Sequence, residues 1–189
     1  MTPTADGLAQ AAQKAAKRGS PPVHLWDPPF CGDLDMRIAR DGTWFYNGTP
    51  IGRAPLVKLF SSILKLEDGK FFLVTPVEKV GITVEDAPFV ATDFEVLNPG
   101  ADQVIRFTTH VGDQTDAGPE NLIRVARDPE SGEPSPYVHV RRGLEALIDR
   151  KSFYRLVDIG SVETHDGSDW FGLRSGGKFF PVQLAAELA

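Results

Sequence analysis

The sequence predicts an α+β fold, mostly antiparallel sheet, built from two related halves. Short alternating apolar segments, punctuated by Gly, Pro, Asn and Asp, favour antiparallel sheet over repeating βαβ units. One order of elements also occurs twice: an aromatic strand, an arginine, an amphipathic helix, then a strand containing Phe-Phe and a proline. Gly69-Lys70-Phe71-Phe72 and Gly177-Lys178-Phe179-Phe180 share their letters, which points to duplication.

The elements follow in order. Asp6 to Arg18 is alanine-rich and helix-prone, and Pro21-Pro22 ends it, so residues 1–22 are expected to be a helical arm. The first half is then 23–88 and the second 89–189. Met36–Ala39 and Thr43–Tyr46 flank Asp41-Gly42, a hairpin signal, and Asn47-Gly48 supports a second tight turn. Trp44 and Tyr46 share one strand face and Phe45 takes the other, so the three aromatics form no single platform. Leu56, Leu59, Phe60, Ile63 and Leu64 recur at helical spacing behind Pro55, which suits a first helical turn. Asp68-Gly69 stops that helix, and Phe71–Val74 reads as a buried strand.

Strands are expected at 82–84, 90–97, 103–110, 122–126 and 137–140, with loops at 113–119 and 128–136. Leu144, Leu147, Ile148, Phe153, Leu156 and Val157 read as a helical stretch whose spacing slips near Arg150. Trp170–Leu173 and Lys178–Val182 form a hairpin around Ser175-Gly176-Gly177.

Charge and composition exclude several function classes. The chain has 189 residues, 20 Lys and Arg against 26 Asp and Glu, and a net charge of −6, which repels phosphate backbones and argues against nucleic acid as partner. No apolar run approaches the roughly 20 residues that span a membrane, and no continuous h-region marks a secretory signal. The expected location is the cytoplasm. Cys31 is the single cysteine, so no intrachain disulfide forms, and it reads as a small buried hydrophobe.

Asp41 through Arg53, Leu56 to Leu64, Thr75-Pro76-Val77-Glu78-Lys79 and Val84 to Phe89 resemble a bacterial family, domain-of-unknown-function family 1285. Pro136 to Leu147 and Phe153 to Val157 extend the resemblance, which covers roughly residues 25 to 184. It implies a duplicated α+β core with a C-terminal half loosely similar to pleckstrin-homology folds. It also implies a ligand cleft between the halves and a role near signalling. It carries no established catalytic residue.

Few motifs bear chemistry. Gly172 to Lys178 satisfies G-x-x-x-x-G-K, but Phe179 stands where a P-loop needs a Mg²⁺-binding hydroxyl, and no helix follows, so a glycine hairpin turn is expected. His24, His110, His139 and His165 are scattered, and Glu163-Thr164-His165-Asp166 reads as a solvated turn rather than a metal site. There is no G-x-S-x-G elbow. Neither a metal nor a cofactor is expected.

Prolines meet charged groups at Glu78, Lys79 and Asp86, where sheet-supported loops commonly host ligands. Ion pairing among these groups and nearby arginines is the plainer reading. Arg53 and Arg142 sit where an aromatic strand is expected to meet a helix, a place suited to phosphate or carboxylate. Two readings of them stand: an anion site at the interface of the halves, or pairs that lock the halves together.

The expected function is a non-enzymatic ligand-binding or regulatory protein for an anionic, nucleotide-like small molecule between the halves. Arg53, Lys79, Tyr137 and Arg142 would make anion and ring contacts, with Glu78 and Asp86 holding the arginines or accepting ligand hydrogen bonds. The alternative is a structural or protein-interaction module that binds a partner protein and no small molecule.

Overall fold

A computed structural model describes residues 2–17 and 19–188. The chain divides into two compact units, Met1–Pro88 and Phe89–Ala189.

The first unit opens with α1 (Ala5–Ala16), capped by Thr4, whose hydroxyl accepts the Gly7 N–H at 3.1 Å. Leu8 and Ala12, four residues apart on one face, are buried, and α1 packs on the second helix. The strands β1 (Phe30–Ile38), β2 (Trp44–Tyr46) and β3 (Thr49–Pro50) form a meander. Next come α2 (Ala54–Ser62) and a second meander of β4 (Leu64–Glu67), β5 (Lys70–Val74) and β6 (Lys79–Val84).

Pro55 lies in the first turn of α2, as its fixed φ favours. The helix stops at Ser62: the Ser61 and Ser62 hydroxyls bond back to the carbonyls of Lys58 and Leu59, and Leu64 already belongs to β4. Trp44 stacks on Phe60 with ring centroids 6.1 Å apart and forms the aromatic centre of this core. Its neighbour along β2, Phe45, faces the other way, beneath the Arg37 guanidinium.

The six strands order as β3-β2-β1-β6-β5-β4, with β1 and β6 parallel at the centre. All other neighbours in this sheet are antiparallel.

The second unit repeats this plan. β7 (Phe89–Leu97), β8 (Val104–Thr109) and β9 (Gln114–Asp116) form one meander; β10 (Ile123–Arg127), β11 (Pro134–Arg141) and β12 (Leu144–Ile148) form the other. The order is β10-β11-β12-β7-β8-β9, again with its first and last strands parallel at the centre. Read from the opposite edge, it is the order of the first sheet. The loop 117–122 stands where the first unit has α2. After β12 come α3 (Arg150–Asp158) and a separate antiparallel sheet of β13 (Ser161–His165), β14 (Ser168–Ser175) and β15 (Lys178–Leu184).

The α+β class and the two related halves therefore stand, but the correspondence between the halves differs from the one the letters suggest. Gly69-Lys70 begins β5, whose counterpart is β11, whereas Gly177-Lys178 begins β15, in the added three-stranded sheet. The shared four letters mark two hairpin turns with positive-φ glycines, not equivalent positions.

The expected helix from Leu144 is also corrected. Arg142 (φ 46°) and Gly143 (φ 79°) make a left-handed two-residue turn, and Leu144, Ala146 and Ile148 bury one face of a strand. The helix begins only at Arg150, capped by Asp149, whose carboxylate accepts the Ser152 N–H at 2.8 Å. That cap is the source of the slipped spacing.

Candidate functional site

Of the six residues singled out in the sequence, Arg53, Glu78, Lys79 and Asp86 lie in the first unit, at both ends of its sheet, and Tyr137 and Arg142 lie in the second. Lys79 opens β6 and Asp86 lies just past its end, so a rise of about 3.3 Å per residue separates them by roughly 23 Å. Asp86 is paired with Arg40 at 2.8 Å. Ile51 returns beside Trp44, which brings Arg53 round toward the Asp86 end of the sheet. Glu78 closes a turn in which its N–H reaches the Thr75 hydroxyl at 3.1 Å. Lys79 donates to Glu67 at 2.9 Å and lies over the Phe72 ring. In the second unit Tyr137 is buried beneath the Arg124 guanidinium, 4.2 Å from the ring centroid.

Arg142 caps no helix, because it sits at the tip of the β11–β12 turn. Arg53 does precede a helix, α2. Both side chains are exposed and have no hydrogen bond or ion pair among the described residues.

The cations that lie over rings are engaged, by contrast. Arg37, Lys79, Arg124, Arg141, Arg155 and Arg174 each lie over an aromatic ring. Each is also ion-paired, to Glu85, Glu67, Glu145, Asp113, Asp93 and Glu163 respectively. A carboxylate on one side and a ring on the other leave these cations little capacity for an outside anion. In the loop after β6, Glu85 pairs with Arg37 and Asp86 with Arg40. Glu67, which the sequence did not single out, takes Lys79.

A groove of about 740 Å³ lies wholly within the second unit. Arg106 of β8 and Asp116 of β9 meet on its wall as a two-bond pair of 2.6 and 2.9 Å. The bonds from Arg106 hold the Asp116 carboxyl below the ordinary carboxylate range, and Asp116 raises the guanidinium in turn. Asp116 takes one proton from Nε and one from Nη2, so three guanidinium protons remain for another acceptor. Gln114, Glu120 and Asn121 add polar groups, and Val104 and Val140 add apolar wall.

The groove exists because the sheet curls. Thr115 on edge strand β9 donates its hydroxyl proton to the carbonyl of His139 on β11, at 2.8 Å, although three strands separate β9 and β11 in the sheet order. His139 also holds the loop 117–122: its N–H reaches the Leu122 carbonyl at 3.0 Å, and its Nδ1 lies 2.9 Å from Asn121 Oδ1.

The Ser175-Gly176 turn closes the end of the groove. Ser175, fully buried, donates to the Ala117 carbonyl at 2.7 Å and accepts the Ile105 N–H at 2.8 Å. A Cβ on Gly176 would stand 2.9 Å from that same carbonyl. The G-x-x-x-x-G-K stretch is thus a hairpin whose turn is locked into the sheet. Likewise Asp166-Gly167 is the β13–β14 turn, and Glu163 is taken by Arg174.

Sequence reasoning passed over Arg106, Asp116 and Asn121, and took Ser175 only as part of a hairpin turn. The alternation of 103–110 signals where Arg106 falls on its strand, but nothing local pairs it with Asp116 across a turn.

No described helix is long and apolar enough to cross a membrane. No curated protein matches the chain. It is similar to the crystal structure of a DUF1285 family protein from Silicibacter pomeroyi DSS-3, at 65% identity over 98% of this chain and 99% of that one, with a TM-score of 0.87. A DUF1285 family protein from Shewanella baltica OS155 is 33% identical over 66% of this chain and 91% of that one, with a TM-score of 0.52. Two family models, the N-terminal and C-terminal domains of DUF1285, described as of unknown function, match residues 21–87 and 88–182. The chain belongs to the DUF1285 family.

Proposed function

We propose that this chain is a non-enzymatic ligand-binding or regulatory protein, and that the groove of the second unit receives its ligand. The observation that carries this reading is the convergence there of Arg106, Asp116, Gln114, Glu120 and Asn121 around a space large enough for a small molecule. Three free guanidinium protons suit an anionic group, and the carboxylates and amides beside them suit hydrogen-bond donors. A nucleotide-like molecule carries both.

A thermal-shift panel of nucleotides and small phosphates tests it. At least one compound should stabilise the protein, and Arg106→Ala should weaken that shift while Arg53→Ala leaves it unchanged. A flat panel overturns the reading.

A second reading, a protein-interaction module, has one observation in its favour. Tyr154 and Val157 on the outer face of α3, then Ile159 and Val162 on the way into edge strand β13, are all exposed. A flat ligand panel together with a stable complex lost on Tyr154→Ser would favour it.

A further inference from the structure

We propose that His139 is a proton-sensitive latch behind the groove wall, acting through Thr115 and Asn121; this rests on the groove being the ligand site. His139 ties three segments, the loop 117–122, β9 and the β11–β12 turn, to β11 through four hydrogen bonds. Its N–H holds Leu122, its carbonyl holds Thr115, and its ring faces Asn121 on one side and the Arg142-Gly143 turn on the other. Thr115 and Asn121 line the groove.

The two ring contacts define the protonation state. Gly143 donates its backbone N–H to Nε2 at 2.9 Å, and a backbone amide can only donate, so Nε2 carries a lone pair. The proton of the neutral ring then sits on Nδ1 and is donated to Asn121 Oδ1, 2.9 Å away. Oδ1 so engaged, the Asn121 amide nitrogen is left directed at the Asp116 carbonyl, at 3.4 Å.

A second proton, on Nε2, would set two N–H groups against each other. The Gly143 amide would lose its acceptor, and the turn or the ring must move. Because the same ring orients Asn121, that movement reaches the groove wall.

The charged neighbours bear on the ring from each packed element. Glu145, opposite His139 on β12, is held by both arms of Arg124 from β10. Arg141, beside the turn, is paired with Asp113 at 2.9 Å, next to β9. Arg142 occupies the turn itself, and Glu120 adjoins Asn121 in the loop. A carboxylate and a guanidinium offset one another at Glu145 and at Arg141.

The test uses the ligand-free full chain, so that it succeeds or fails independently of ligand binding. Nitrogen-15 NMR at neutral pH should show His139 as the Nδ1–H tautomer. On acidification, hydrogen-exchange protection of the Gly143 amide should fall at least tenfold, with the midpoint of the His139 ring titration. An Nε2–H tautomer at neutral pH, or Gly143 protection that stays level through that titration, overturns the proposal. The thermal shift of a compound found by the panel, read on both sides of the His139 midpoint, should shrink on the acidic side. An unchanged shift overturns the coupling to the groove, whereas a panel flat at neutral pH overturns the ligand site alone.

Discussion

Ser175 gives its hydroxyl proton to the carbonyl of Ala117, 58 residues earlier in the chain, at 2.7 Å. With the Ile105 N–H bound to the same oxygen, one buried hydroxyl satisfies two backbone groups. Ser175→Ala takes this partner from both at a buried site, and an unsatisfied buried group costs about 1–3 kcal/mol. We expect a loss of about 2–4 kcal/mol in urea unfolding. A loss near zero would mean that the β14–β15 turn is not anchored there.

Gly172 and Gly177 in the G-x-x-x-x-G-K stretch should respond differently to alanine. A Cβ on Gly172 would lie 2.3 Å from the Phe180 carbonyl oxygen, a backbone atom that cannot step aside. At Gly177 the Cβ meets nothing within 4 Å, and only its φ of +78° resists an L side chain. Gly172→Ala should cost about 3 kcal/mol through overpacking; Gly177→Ala about 1 kcal/mol. Unfolding midpoints of the two variants check the order.

Trp44 is buried with its indole Nε1 lacking a partner among the described residues. Trp44→Phe removes volume but also removes that unsatisfied donor, so the two effects oppose. Its cost should stay under about 1.5 kcal/mol, while Trp44→Ala should cost about 3–5 kcal/mol. A Trp44→Phe loss well above that bound would show that the N–H is hydrogen-bonded.

Acid should destabilise the protein through its paired carboxylates. Hydrogen bonds from Arg106 lower Asp116, those from Arg174 lower Glu163, and those from Lys65 and then Lys79 lower Glu67. A carboxyl that is more acidic folded than unfolded contributes its full stabilisation above the unfolded values, 3.8 for Asp and 4.5 for Glu. That contribution disappears as pH falls through the folded values. Urea midpoints should therefore be level in this respect above about pH 5 and decline below it. Asp116→Asn should flatten the decline by only a few tenths of a kcal/mol or so, because the pair is partly exposed and screened.

The legible parts of the fold were those set by nearby residues. The Ser175-Gly176-Gly177 hairpin, the Asp41-Gly42 turn, the Pro55 start of α2 and the α+β class follow from φ tolerance and periodicity within a few positions. Even the helix after Arg142 failed for a local reason: a left-handed Arg-Gly turn and a short alternating strand share their apolar letters with a helix. Tertiary structure decided what lies far apart in the chain. The parallel pairing of β1 with β6 and of β7 with β12, the choice of Glu67 for Lys79, and the curl that brings Thr115 to His139 depend on strand register and closure. These arise from packing between distant segments, and such packing leaves no spacing to read. The candidate site moved for the same reason, from arginines beside expected helix starts to a groove that exists only once the second sheet has folded upon itself.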